Sequence, residues 1–284
     1  MSRIAYVNGR YERMANASIH IEDRGYQFAD GIYEVCLVID GQCWDLDGHL
    51  ARMERSLDEL RIGAPMDRSS LTVVIGELLK RNRLDNALVY IQVTRGVAPR
   101  NHLFPAGDVT PALVMTARRF DLNQSDALAE KGVKVISRPD IRWRRVDIKS
   151  VGLLPNALAK QDAKEAGAAE CWLIRDGHVT EGSSSNAWIV DAKGALVTHP
   201  KTNDILGGIT RETAIACAES LQMKVEERPF TLDEAKMATE AFMSSATGLV
   251  MPIVQIDEDK IGDGAPGPVA LRLREAYKAR ARAG

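Results

Sequence analysis

Short apolar runs separated by turn residues dominate the first third of the chain. The clearest case is Asn8-Gly9, which lies between the runs 4–7 and 10–14 and supplies the two positive φ angles that a tight hairpin turn needs. Further strand-like runs lie at 19–21, 33–39, 88–94 and 112–117. The pattern therefore predicts a chain that begins with many strands.

Two helices are predicted to interrupt these strands. Their apolar residues recur at intervals of three and four, which is the spacing of one helix face. These residues are Leu50, Met53, Leu57 and Leu60, followed by Val74, Ile75, Leu78 and Leu79. Strands that flank a pair of helices indicate an α+β domain, which we predict over residues 1–118.

The apolar rhythm lapses after this domain, and we predict an interdomain linker at 119–129 and a C-terminal domain at 130–284. Helices are predicted at 156–166 and 210–221, after the N-cap Thr231, and from Val269. The strands predicted between them are 133–137, 170–175, 178–181, 187–190, 195–198, 241–244 and 251–256. This order predicts a sheet with helices packed outside it.

The two signs of charge nearly cancel, with 37 Lys and Arg against 39 Asp and Glu in 284 residues. Such a balance gives no broad basic surface for nucleic acid or anionic lipid, so it favours small-molecule chemistry. The four cysteines lack CxxC spacing, and the N-terminus lacks a basic stretch followed by an apolar run, which together predict a cytoplasmic location. No apolar run approaches the roughly 18 residues of a membrane span. The five histidines lack metal-ligand spacing, so we predict no metal site.

Lys149 is the residue around which the candidate chemistry is organised. It lies between Ile148 and the small Ser150, directly before an apolar run at 151–154, which is a poor position for a solvated charge. We therefore predict a buried amine, because burial favours the neutral form that attacks a carbonyl to give a Schiff base. Pyridoxal phosphate (PLP) is such a carbonyl, and its ring nitrogen needs a carboxylate, for which Glu181 is the candidate.

The sequence around these two residues is similar to that of a known enzyme family. Ile-Lys-Ser at 148–150, Leu-Leu-Pro-Asn at 153–156, Glu-Ala-Gly-Ala-Ala-Glu at 165–170 and Val-Thr-Glu-Gly-Ser-Ser-Ser-Asn at 179–186 resemble the fold-type IV PLP enzymes. This family contains the D-amino acid and branched-chain aminotransferases, and the resemblance covers nearly the whole chain. It implies an α+β and α/β protein of two domains, a smaller N-terminal α+β domain and a larger C-terminal sheet domain with outer helices. It also implies that Lys149 carries PLP and that Glu181 faces the pyridine nitrogen.

A phosphate site is predicted where Gly207-Gly208 precedes a helix, because backbone N–H groups at a helix start bind anions. The donors would be the amides of Ile209 and Thr210 and the Thr210 hydroxyl. The resemblance adds Arg52 as a phosphate-binding arginine, and it places Ser184 and Ser185 in the loop beside the ring. Family members often carry a threonine where this chain has Ala246, so we expect the Ala246 amide or the Thr247 hydroxyl to replace that contact.

Arg100 and His102 are the candidate substrate-binding residues, because a guanidinium and an imidazole on one side of a loop suit a carboxylate. After a strand and Thr-Arg-Gly, they resemble the carboxylate-binding residues of D-amino acid aminotransferases, in which Tyr33 matches the third member. In that family the arginine and histidine come from the neighbouring subunit, which implies a homodimer. We therefore expect a transaminase that exchanges amino groups between D-amino acids and 2-oxo acids.

Other functions stay open at this stage. Branched-chain L-amino acid aminotransferases resemble the chain at Lys149 and Glu181 but usually lack the Arg-x-His pair, and aminodeoxychorismate lyases share the cofactor residues. Half-reactions with D- and L-alanine would separate the two aminotransferase classes. A PLP-binding protein without turnover is a further alternative, since borohydride would bleach its colour while amino acids would leave it unchanged.

Overall fold

The computed structural model describes residues 3–283. The described chain divides into two compact units. The first contains the residues up to Asp121 together with Ile148–Gly152, and the second contains Leu122–Asp147 and the chain from Leu153 onward. The division at Asp121 falls inside the predicted linker, most of which is a helix. The predicted domain limits stay a prediction, and the pattern did not suggest that the lysine segment belongs to the first unit.

The first unit is built on an antiparallel sheet with the strand order β2-β1-β6-β5-β3-β4. Its elements are β1 (Ile4–Val7), β2 (Arg10–Arg13), α1 (Arg24–Phe28), β3 (Gly31–Ile39), β4 (Gln42–Cys43), α2 (Leu46–Leu60), α3 (Arg68–Asn82), β5 (Ala87–Thr94) and β6 (Ala112–Arg119). The hairpin prediction is confirmed, because Asn8 (φ 46°) and Gly9 (φ 89°) both adopt positive φ between β1 and β2.

The strand-like alternation at 19–21 is a wrong prediction. Residues 17–20 have no regular structure, and Ile21 is exposed. The chain instead enters the short helix α1, whose N-cap Asp23 accepts a hydrogen bond from the Gly25 amide (2.8 Å). Two alternating isoleucines without a neighbouring strand to pair with do not specify a strand.

The predicted faces of α2 and α3 form the core of the first unit. Leu50 and Met53 of α2 and Ile75 of α3 are buried in one apolar cluster with Ile91 and Met115 from the sheet. Burial of such side chains contributes roughly 1.5–3 kcal/mol each. The two helices are therefore held on the sheet by the apolar residues from which they were predicted.

The second unit is built on a mixed sheet with the order β12-β11-β10-β13-β14-β7-β8-β9, to which β15 adds beside β14. Its elements are α4 (Leu122–Ala129), β7 (Val133–Pro139), α5 (Leu154–Glu165), β8 (Glu170–Arg175), β9 (His178–Gly182), β10 (Asn186–Val190), β11 (Leu196–Thr198), α6 (Ile209–Ser220), β12 (Val225–Glu227), α7 (Leu232–Lys236), β13 (Glu240–Ser245), β14 (Leu249–Ile256), β15 (Asp259–Lys260) and α8 (Pro268–Ala283). Thr231 caps α7 as predicted, since its side chain accepts from the Glu234 amide (3.1 Å). Among the described residues, no helix combines the length and apolar character needed to span a membrane.

Arg274 of α8 joins three parts of the second unit. Its guanidinium donates to the carbonyl oxygens of Gly248 (2.7 Å) and Val250 (2.8 Å), to the Asp126 carboxylate (2.9 Å) and to the Ser125 hydroxyl (2.8 Å). The residue is only 2% exposed. This buried charge therefore fixes the β13–β14 turn and α4 to the same helix.

We predict that Arg274→Met lowers the free energy of unfolding by about 3–5 kcal/mol, because Asp126 and two carbonyl groups lose a buried partner. Arg272→Met, on the exposed side of the same helix, is the matched control and should change it by less than about 0.5 kcal/mol. Urea unfolding of both variants measures this difference. Equal losses in the two variants would contradict the role given to Arg274.

Candidate active site

The segment 148–152 lies against the start of β3. The Tyr33 amide donates to the Lys149 carbonyl oxygen (2.9 Å), the Val151 amide donates to the Gly31 carbonyl oxygen (3.0 Å), and Ile32 and Ser150 form an antiparallel bridge. Ile148 beside them is buried in the core of the first unit. The backbone of Lys149 is therefore fixed by the sheet although it lies outside any strand.

The structure brings Lys149 and Tyr33 together. Lys149 Nζ lies 4.3 Å from the centre of the Tyr33 ring, and the Lys149 amide donates to Ser56 Oγ (3.4 Å). The lysine is half-buried rather than fully buried. Tyr90 stacks beside Tyr33 at 5.7 Å, and burial together with the nearby Tyr33 raises the pKa of Tyr90 to about 12. Tyr90 is therefore neutral at physiological pH.

Arg52 of α2 is paired with Glu34 of β3, a residue that the sequence analysis did not identify. Arg52 Nε and Nη2 each donate to a different oxygen of the Glu34 carboxylate at 2.7 Å, and His49 Nδ1 lies 2.7 Å from the same carboxylate. Burial by itself raises the pKa of Glu34, but Arg52 and His49 outweigh it and lower the pKa to about 2. Two Arg52 nitrogens are thus used by the protein, and its phosphate contact stays a prediction.

Arg100 and His102 lie in the exposed connection between β5 and β6, where both pack on Phe28 of α1. Arg100 Cζ is 4.7 Å from the centre of the Phe28 ring, and the His102 and Phe28 ring centres are 5.5 Å apart. In the described part of this chain, neither residue forms a hydrogen bond or ring contact with Tyr33. The structure therefore brings together two of the predicted substrate-binding residues and not the third.

Glu181 lies on β9 in the second unit and is buried, with both carboxylate oxygens bonded. Oε2 accepts from the Asn186 side-chain amide (2.9 Å) and the Leu206 backbone amide (3.0 Å), and Oε1 accepts from Arg142. Arg142 also forms a two-point contact with Asp140 (2.9 and 2.8 Å). The Glu181 carboxylate is therefore fixed in place by backbone and side-chain donors.

Arg142 was missed because its bonding to Glu181 joins residues 39 positions apart, which no local pattern reveals. Burial alone would lower the pKa of Arg142, but Glu181 and Asp140 outweigh it and raise the pKa. Burial of Asp140 raises its pKa, and the arginines beside it reverse that effect and lower it. Arg142 therefore stays a cation beside Glu181.

The serines between β9 and β10 surround Glu170 of β8. Ser183 Oγ, Ser184 Oγ (2.7 Å) and Ser185 Oγ (3.1 Å) all donate to this buried carboxylate, and so does the Cys171 amide (2.8 Å). These bonds fix the turn that connects Glu181 to Asn186. The predicted cofactor contacts of Ser184 and Ser185 stay a prediction.

The start of α6 has the geometry that the phosphate prediction requires. Gly208 is the N-cap, so the amides of Ile209 and Thr210 in the first turn have no acceptor within the helix. A Cβ atom at Gly208 would lie 2.0 Å from Asn186 Oδ1, which explains the glycine. Ala246 and Thr247 lie in the β13–β14 turn, which Arg274 holds, and Thr247 is exposed. Among the described residues, no cluster of His, Cys, Asp or Glu suits a metal ion.

The family description "Amino-transferase class IV" matches residues 31–256. The chain belongs to this family. The resemblance drawn from the sequence is thereby confirmed, and so is the prediction that the chain is an enzyme of the PLP-dependent aminotransferase type.

Relatives in this family match almost the whole chain. A D-alanine aminotransferase of Bacillus licheniformis is 42% identical over 95% of this chain and 94% of its own length. One from Staphylococcus haemolyticus is 40% identical over 96% and 95%. Among solved structures, a T.th. branched-chain amino acid aminotransferase complexed with N-(5′-phosphopyridoxyl)-L-glutamate has a TM-score of 0.90 at 26% identity, covering all of this chain and 95% of that one. The fold-type IV prediction is therefore confirmed.

The Glu34 pair predicts a specific pH dependence of stability. The Glu34 pKa is about 2 in the folded protein against an ordinary value of 4.5. Between these values the unfolded chain binds more protons, so the stabilisation is complete above about pH 4.5 and falls as the pH drops towards 2. Glu34→Gln should lower the free energy of unfolding at pH 7 by about 3–5 kcal/mol, because Arg52 stays buried without its partner. At pH 3 the difference from the native protein should be smaller.

The matched control is Glu54→Gln, which breaks an exposed pair between Glu54 of α2 and Arg68 of α3. Solvent screens that pair, so the control should change stability little at either pH. Urea unfolding at pH 7 and pH 3 gives the comparison. A Glu34→Gln loss that is the same at both values would refute the pKa argument.

Proposed function

We propose that the chain transfers amino groups between D-amino acids, such as D-alanine or D-glutamate, and 2-oxo acids, such as pyruvate or 2-oxoglutarate, with PLP as its cofactor. The relatives named D-alanine aminotransferases, 38–42% identical over nearly all of the chain, support the substrate class. The single structural observation that carries the reaction type is the Lys149 amine, 4.3 Å from the Tyr33 ring on a backbone fixed by β3.

The residues present fit PLP in three respects. Lys149 is an amine on a rigid backbone, suited to bind an aldehyde. Ile209 and Thr210 offer free amides and the positive end of a helix to a phosphate, to which Arg52, Ala246 and Thr247 would add contacts. Glu181, fixed beside the cationic Arg142, offers a carboxylate to a protonated ring nitrogen. Ser184 and Ser185 complete the proposed cofactor-binding set.

Bound PLP would supply an aldehyde that condenses with amines and a ring that accepts electrons from the substrate α-carbon. The protein supplies the rest of the proposed chemistry. Lys149, released by the incoming substrate amine, removes the proton from the α-carbon and returns a proton at C4′. Glu181 keeps the ring nitrogen protonated, and that proton keeps the ring a strong electron acceptor.

Tyr33, Arg100 and His102 are the proposed ligands of the substrate carboxylate. A guanidinium binds a carboxylate through two parallel N–H groups, and such a fixed grip selects which face of the α-carbon is presented. This face is the proposed origin of the preference for D over L. Branched-chain amino acid aminotransferases are also similar in structure, so an L-specific reaction is the second candidate.

The enzyme is proposed to act as a homodimer in the cytoplasm. Tyr26, Leu103 and Phe104, on α1 and on the connection that carries Arg100 and His102, are 79%, 75% and 53% exposed. Exposed apolar side chains of this kind mark interaction surfaces. The cysteines of the described chain form no disulfide, in keeping with a compartment that keeps thiols reduced.

We predict that Lys149→Ala lowers multiple-turnover transamination by at least about a hundredfold, because a positioned proton carrier contributes on the order of 10²–10⁴ in rate. Lys164→Ala, at an exposed position of α5, is the control and should keep full activity. Coupled assays of pyruvate formation from D-alanine measure both. Full turnover by Lys149→Ala would refute the mechanism.

The substrate proposal predicts the handedness of the product. With 2-oxoglutarate as acceptor, D-alanine should give D-glutamate, and D-amino acids should exceed their L-forms in kcat/KM by at least about a hundredfold, as expected when polar groups fix one orientation. Chiral chromatography of a panel of D- and L-amino acids, including D- and L-leucine, tests this. L-glutamate formed faster from L-leucine than D-glutamate from D-alanine would favour the branched-chain alternative.

A further inference from the structure

The connection between β5 and β6 carries Arg100 and His102 but has little regular structure of its own. Helix α1 holds it in place. Arg24 Nη1 donates to the carbonyl oxygens of Asn101 (2.6 Å) and Leu103 (3.4 Å), the residues on either side of His102. The backbone around His102 therefore depends on α1 rather than on the sheet.

Phe28, at the end of the same helix, is surrounded by nitrogen-bearing side chains. Its ring centre lies 4.7 Å from Arg24 Cζ and 4.7 Å from Arg100 Cζ. The His102 ring lies 5.5 Å away, inclined at 58°. The negative face of an aromatic ring attracts guanidinium groups at these distances. One ring thus contacts both side chains of the Arg-x-His pair.

The surroundings of Phe28 differ from those of a core residue. It is half-buried and does not belong to the apolar core cluster of the first unit. Arg24 already has a carboxylate partner, since its Nε lies 2.7 Å from Asp30. By contrast, within residues 3–283 no carboxylate pairs with Arg100 or His102. The ring therefore groups two side chains whose charge and N–H groups are left for a ligand.

We propose that Phe28 is a positioning residue for the substrate carboxylate site. Its ring holds the side chains of Arg100 and His102 on one side of the connection, so that both direct N–H groups at a single α-carboxylate. Without the ring, the long Arg100 side chain samples other rotamers and must be ordered anew by each substrate. The inference rests on the proposed function, because it concerns the role given there to Arg100 and His102.

The test compares Phe28→Leu and Phe28→Met, which keep apolar volume but lose the ring, with Phe28→Tyr, which keeps it. The readouts are KM and kcat for D-alanine and the inhibition constant of propionate, a carboxylate without an amine. In both ring-free variants KM and the propionate constant should rise together by roughly 3- to 10-fold, the factor expected from one lost cation–π contact. The kcat value, the cofactor absorption spectrum and the melting temperature should stay near those of the native enzyme, and Phe28→Tyr should restore KM.

Arg100→Met in the same assays separates the two proposals. If it leaves KM and propionate inhibition unchanged, the carboxylate role of Arg100 fails, and the Phe28 inference fails with it. If Arg100→Met raises both constants and the ring-free variants do not, only the Phe28 inference is overturned. A fall in kcat at constant KM, or a Phe28→Tyr enzyme as impaired as Phe28→Leu, would overturn it as well.

Discussion

The placement of Lys149 depends on a short stretch of backbone pairing between the segment 148–152 and β3. Two hydrogen bonds, from the Tyr33 amide to Lys149 and from the Val151 amide to Gly31, fix a residue that lies outside every regular element. Gly31 permits this pairing at the edge of β5, because a Cβ atom there would lie 2.6 Å from the Val93 carbonyl oxygen. A reactive amine on such a backbone keeps its position without an ordering cost at each turnover.

Buried carboxylates with complete sets of donors organise the surroundings of the candidate residues. Glu34 is held by Arg52 and His49, while Glu170 and Glu181 collect serine, amide and arginine donors within the second unit. Burying a carboxylate costs several kcal/mol unless such partners offset it. Each network therefore ties a turn or helix to the sheet, and the proposed cofactor contacts lie on these turns and helices.

Local signals were sufficient for many elements and insufficient for others. The Asn8-Gly9 turn and the apolar faces of α2 and α3 were predicted because they depend on residues close together in the chain. Helix α1 was missed, since five residues are too few for a helical period to appear. The linker prediction failed to anticipate α4, whose buried face is limited to Ala129.

The candidate site was predicted in part, and mainly by resemblance rather than by pattern. Spacing alone did not distinguish Lys149 from a surface lysine, whereas the surrounding motifs did. Glu34 and Arg142 were missed because their partners are distant in sequence and the pairing exists only after folding. Phe28 carried no sequence signal, since its neighbours Arg24 and Arg100 are brought to it by the fold.

The most direct measurement is the site of covalent cofactor attachment. The purified enzyme, loaded with PLP and reduced with borohydride, is digested and its peptides are analysed by mass spectrometry. The account predicts a phosphopyridoxyl group on the peptide containing Lys149, and on that peptide alone. Attachment at another lysine, or reduction that leaves Lys149 unmodified, would contradict it.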